Sequence, residues 1–66
     1  MRVVINGVES TVPEGATVRG MLEHLGLTSG PVAVEINEAV IPRAEHASRR
    51  VAEGDRVEIV HFVGGG

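Results

Sequence analysis

The sequence predicts an α+β domain in which short strands flank a single helix. Three observations predict it. Asn6-Gly7 separates two runs rich in β-branched residues, apolar residues recur at helical spacing between positions 18 and 25, and polar and apolar residues alternate from Arg56 onward. With 66 residues there is room for one domain, and a chain this short buries only about 60% of the surface its unfolded form exposes. Such a chain can form a core but not a deep catalytic cleft.

Asn-Gly is the preferred pair for a two-residue type I′ turn, so residues 1–5 and 8–12 form a β-hairpin with Ile5 opposite Val8. Counting back from that pair sets Val3 opposite Ser10 and Met1 opposite Val12. One face then carries Met1, Val3, Ile5, Val8 and Val12, and the other carries Arg2, Val4, Glu9 and Thr11. Pro13-Glu14-Gly15 ends the hairpin. Thr17 is placed to cap a helix over residues 18–25, whose apolar face is Val18, Met21, Leu22 and Leu25. Gly26 suits a left-handed C′ position, which would set Leu27 against Leu22 in a Schellman motif. Gly20 costs about 1 kcal/mol relative to Ala inside a helix, and close packing on the sheet would explain it.

After a connector over residues 28–31, residues 32–36 alternate weakly and read as a largely buried strand. Asn37-Glu38 turns the chain into a short returning strand at 39–41, stopped by Pro42, which fits an edge or strand end. Residues 43–52 have no clean period and cross the surface as loop or 3₁₀ turn, with Val51 as anchor. A Glu53-Gly54-Asp55 turn then starts the last strand, residues 56–63. In that strand Val57, Ile59 and Val63 alternate with Glu58, Val60 and Phe62.

Composition excludes several classes of function. Hydrophobic residues make up 42% and charged ones 23%, as in a globular domain. A net charge of −3 without a basic cluster gives no footprint for nucleic acid. All six basic residues are Arg, which fits compositional bias and also leaves no lysine amine to capture an activated acyl group. Without cysteine there is no disulfide framework, thiolate metal site or nucleophilic thiol. No apolar stretch reaches membrane-spanning length and no secretory signal pattern opens the chain, so the expected location is the cytoplasm, with no membrane partner.

The remaining side chains offer little chemistry. His24, His46 and His61 fall on the helix, the loop and the last strand, without the spacing of zinc ligands, so no metal is expected. The nine carboxylates are dispersed in polar settings and form no acid and base pair, so no catalytic residue is expected. Gly64, Gly65 and Gly66 do not form a phosphate loop, because no helix follows them. What stands out is the carboxylate of Gly66. Glycines lack Cβ, and three of them extend at most roughly 10 Å, so a partner enzyme could enclose Gly64, Gly65 and Gly66 in a narrow tunnel. A frayed end or linker would have the same composition. Just before this tail Val60 and Phe62 lie on the outer side of the last strand, either as a partner-docking patch or as residues covered by a loop.

Together these segments resemble the ubiquitin-like sulfur-carrier family of thiamine biosynthesis (ThiS). The resemblance covers the whole chain. It is carried by Asn6-Gly7, Pro13-Glu14-Gly15-Ala16-Thr17-Val18 into Leu22 and Leu25, Val32-Ala33-Val34-Glu35-Ile36-Asn37, Ile41-Pro42-Arg43, and Gly54-Asp55-Arg56-Val57-Glu58-Ile59-Val60 running to Val63-Gly64-Gly65-Gly66. It implies a β-grasp fold over residues 1–63, with a mixed sheet of four or five strands packed on one helix, the last strand central, and a flexible tail at 64–66. It also implies a carrier rather than an enzyme. An E1-like adenylyltransferase (ThiF-like) would adenylate Gly66 with ATP and Mg, none of which the carrier binds itself. Sulfur from a cysteine desulfurase system would make a C-terminal thiocarboxylate, to be delivered to thiazole synthase (ThiG-like). Two departures from the family's pattern bear on partner preference: residues 43–46 lack a bulky aromatic, and Phe62 is larger than expected. A carrier for molybdopterin, tRNA thiolation or cysteine synthesis is the nearest alternative, and a non-reactive β-grasp interaction module is the alternative from another class.

Overall fold

A computed structural model of the chain describes residues 1–62; Val63, Gly64, Gly65 and Gly66 lie outside the described residues. Five strands, β1 (Arg2–Ile5), β2 (Val8–Thr11), β3 (Val32–Ile36), β4 (Ala39–Ile41) and β5 (Arg56–His61), form one sheet in the order β2-β1-β5-β3-β4. One helix, α1 (Val18–His24), supplies the second layer, and a 3₁₀ turn spans Arg43–Glu45. β5 runs parallel to β1 and antiparallel to β3, so the sheet is mixed and the last strand is central. The β-grasp expectation is met.

The hairpin has the expected register, Ile5 against Val8 and Val3 against Ser10, with Asn6 and Gly7 at φ 49° and 80° as a type I′ turn requires. Thr17 caps α1, its hydroxyl accepting from the Gly20 N–H at 3.1 Å. The Schellman motif also forms: Leu27 N–H donates to the Leu22 carbonyl at 2.9 Å and Gly26 N–H to Glu23 at 3.0 Å. Val3, Val12, Val18, Met21, Val34, Ile36 and Val57 are the best-buried side chains of the core.

The aperiodic stretch 43–52 has a definite task. A helix begins with N–H groups that have no partner within it. Here Val18 N–H donates to the Arg49 carbonyl and Arg19 N–H to the His46 carbonyl, both at 2.8 Å. Val51 is buried as expected. His46 is buried too, and its Nε2–H donates to the Ile41 carbonyl at 3.1 Å. No helix of the described residues is long and apolar enough to cross a membrane.

The structure corrects several details. Val8 is 65% exposed rather than buried, because it adjoins the hairpin turn at one end of the ribbon, away from the core cluster. β3 is not buried on both faces: Ala33 and Glu35 are exposed, since the single helix covers only one side of the sheet. α1 ends one residue early, with Leu25 as a partly exposed C-cap. A Cβ on Gly20 would meet the Thr17 hydroxyl at 3.4 Å and Ala16 at 3.8 Å, so this glycine packs on the cap and not on the sheet. Asp55, placed with the solvated carboxylates, is buried. β5 is assigned to His61 rather than to residue 63, whose position lies outside the described residues.

Candidate functional site

The end of β5 is the candidate site, and three separate fastenings hold the strand that leads to it. At its start, Asn37 Oδ1 accepts from the Arg56 N–H at 3.0 Å, while Asn37 Nδ2 donates to the Asp55 carboxylate at 3.1 Å. That carboxylate also accepts from the Ala52 N–H at 2.8 Å, which accounts for its burial. In the middle, β1 has already turned away after Ile5, and the Asn6 side chain takes over as its substitute. Asn6 Oδ1 accepts from the Ile59 N–H at 2.8 Å and Nδ2 donates to the Ile59 carbonyl at 3.0 Å, as a paired strand residue would. At the end, Phe62 N–H donates to the Pro31 carbonyl at 3.0 Å, and His61 Nε2–H donates to the Ser29 carbonyl.

Residues of β5 alternate between faces. Val57 and Ile59 enter the core, whereas Val60 and Phe62 are 53% and 54% exposed. No loop covers them among the described residues. Val60 pairs with exposed Ala33 across β3 beside the exit of the chain, while exposed Val40 of β4 lies in the next row, opposite Glu35. Glu58 pairs with Glu35 on the same face, both exposed. Like charges directly opposed across strands are unfavourable.

The structure brings together Val60, Phe62 and the exit point. It does not bring together His24, His46 and His61, and among the described residues no group of three or more His, Cys, Asp or Glu could hold a metal ion. A cleft of about 280 Å³ between α1 and residues 43–47 has Glu23 as its sole carboxylate, and the His46 that also lines it is tied to the Ile41 carbonyl. Gly64, Gly65 and Gly66, the proposed reactive tail, lie outside the described residues. The bridging by Asn6 and the burial of Asp55 and His46 were not read from sequence. A signal existed for Asn6: a side chain at a hairpin tip beside a central parallel strand is positioned to extend the shorter neighbour's ladder.

A model of the ThiS family matches residues 2–66. The chain belongs to the ThiS family. It is 29% identical over 66 residues to the protein named sulfur carrier protein ThiS of Escherichia coli, covering all of both chains. It is 38% identical over 64 residues to the like-named protein of Thermus thermophilus, covering 97% of this chain and 98% of that one. It is also 44% identical over 66 residues to a protein of Paramagnetospirillum magneticum named thiazole synthase, of which it spans only 20%. Among solved structures, that of the thiamine biosynthesis protein ThiS of Geobacter metallireducens aligns with a TM-score of 0.83 and 36% identity, covering all of both chains. The ThiS-family fold therefore agrees with the strand order and the single helix.

Proposed function

We propose that this chain is a sulfur carrier protein of thiamine biosynthesis and a cosubstrate rather than a catalyst. The observation that carries the reading is the pairing of a ThiS-family β-grasp body with a triglycine segment two residues beyond its central strand in the sequence. In this reading the Gly66 carboxylate, ionised at neutral pH, attacks the α-phosphate of ATP in an E1-like adenylyltransferase (ThiF-like) that holds the nucleotide and Mg. Pyrophosphate leaves. A persulfide of a cysteine desulfurase system then attacks the acyl carbon and AMP leaves; a thiol cleaves the resulting acyl disulfide, freeing the thiocarboxylate and leaving the two partner sulfurs as a disulfide. Thiazole synthase (ThiG-like) receives that sulfur. No side chain of the carrier takes part in any of these displacements.

Val60 and Phe62 are the proposed docking residues, and Gly64, Gly65 and Gly66 the part that enters the partner. Exposed apolar side chains beside the exit are supported in that role by their position, since a partner gripping them is already next to the tail. The relatives named thiazole synthase support that enzyme as acceptor, because proteins bearing the name include a segment like this chain.

The test is sulfur transfer. The chain, charged with labelled sulfur, is offered to thiazole synthase, molybdopterin synthase and a tRNA-thiolating enzyme in parallel. The label is expected in the thiazole product. Transfer only to another acceptor would reassign the pathway, and transfer to none, with charging absent, would favour an inert interaction module.

A further inference from the structure

We propose that residues 29–31 form a collar that fixes the direction in which the chain leaves β5, with Gly30 as its positioning residue. The inference rests on the carrier reading above and adds a position to which that reading assigns no role. Gly30 has φ +81°, and a Cβ built there would lie 2.8 Å from the backbone oxygen of Phe62 and 3.7 Å from His61 Nε2. Contacts under about 3 Å between carbon and a backbone oxygen are not tolerated without movement. Gly7, Gly26 and Gly54 share the left-handed conformation, with φ between 76° and 84°, yet a Cβ on any of them meets nothing within 4 Å. Among these left-handed glycines, Gly30 is therefore the one at which backbone conformation and close approach coincide, and the approach is to the exit of β5.

The residues on either side complete the collar. Pro31 accepts the Phe62 N–H, and Ser29 accepts from the His61 ring. Phe62 is thus held by its N–H and through the preceding side chain, while its carbonyl oxygen lies where a Cβ on residue 30 would have to go. The next peptide bond begins the segment toward Gly66. Once Val60 and Phe62 are docked, this peptide sets the direction from which the tail meets the partner's active site. Small errors in presenting a reacting group are costly in rate.

Two measurements test this on the full chain with its cognate activating enzyme and ATP–Mg. In steady-state adenylation, followed by pyrophosphate release, Gly30→Ala is expected to lower kcat on the order of tenfold with KM for the carrier little changed. Gly54→Ala carries similar backbone strain away from the exit and should keep the wild-type kcat. His61→Ala adds no atoms, removes the Ser29 tie and should lower kcat in the same direction. A synthetic chain with D-alanine at position 30, which favours positive φ and does not direct its methyl at Phe62, should recover. Equal kcat for Gly30→Ala and Gly54→Ala, or a loss confined to KM, would overturn the collar. Independently of activity, amide exchange at Phe62 should quicken on the order of tenfold in Gly30→Ala and not in Gly54→Ala. Unchanged exchange contradicts the collar, whereas failure of the wild type to be adenylated contradicts the carrier reading and leaves the exchange result to decide the collar.

Discussion

At the scale of single residues, amide side chains do more of the assembly than the apolar pattern reveals. Asn6 was legible as a turn residue because its φ of 49° belongs to a type I′ hairpin. Its second task, pairing with both backbone groups of Ile59, is legible only once the hairpin tip is set beside the central strand, because its partner lies 53 residues later. Asn6→Gly keeps the turn and removes only the bridge, leaving Ile59 with two unmet groups in a partly buried position. Urea denaturation should show a loss of about 1–3 kcal/mol; a loss much below that range would mean that water replaces the side chain at no cost. Thr17 offers a simpler case. It was legible as a cap from its position before Val18, and Thr17→Ala should cost about 1 kcal/mol in the same assay.

At the scale of elements, the strand and helix limits followed from short-range chemistry, and the faces followed less well. β3 reads as buried because Val32, Ala33 and Val34 are consecutive apolar residues, and periodicity alone does not separate a central strand of a one-layer sheet from one covered on both sides. Only the topology settles it: one helix of seven residues covers one face, so Ala33, Val40, Val60 and Phe62 remain outside. That division gives opposite expectations for two truncations. Met21→Ala, at a fully buried site, should cost about 2–5 kcal/mol of stability. Phe62→Ala should cost under about 1 kcal/mol, as surface substitutions do, while weakening the complex with the activating enzyme by more than about 1 kcal/mol. Titration calorimetry beside thermal denaturation separates the two effects. Stability loss for Phe62→Ala in the range expected for Met21→Ala would place the ring in the core and remove it from the docking surface.

At the scale of the whole molecule, the proposed function divides the chain into a body that positions and a segment that reacts. The body was readable as a β-grasp because hairpin, capped helix and final strand occur in that order, and the ThiS-family match and the 0.83 TM-score agree with it. The central position of β5 matters most. β1 and Asn37 hold its start, Asn6 its middle, and β3 with residues 29–31 the point where the chain leaves it. Deleting Gly66 should accordingly leave the thermal midpoint unchanged while abolishing sulfur loading. The most direct measurement is intact-mass and fragment-ion spectrometry of the chain after incubation with its activating enzyme, ATP–Mg and a sulfur donor. The expected result is a gain equal to the difference between one sulfur and one oxygen atom, located on Gly66. An unchanged mass, under conditions that load another ThiS-family carrier, would contradict the account.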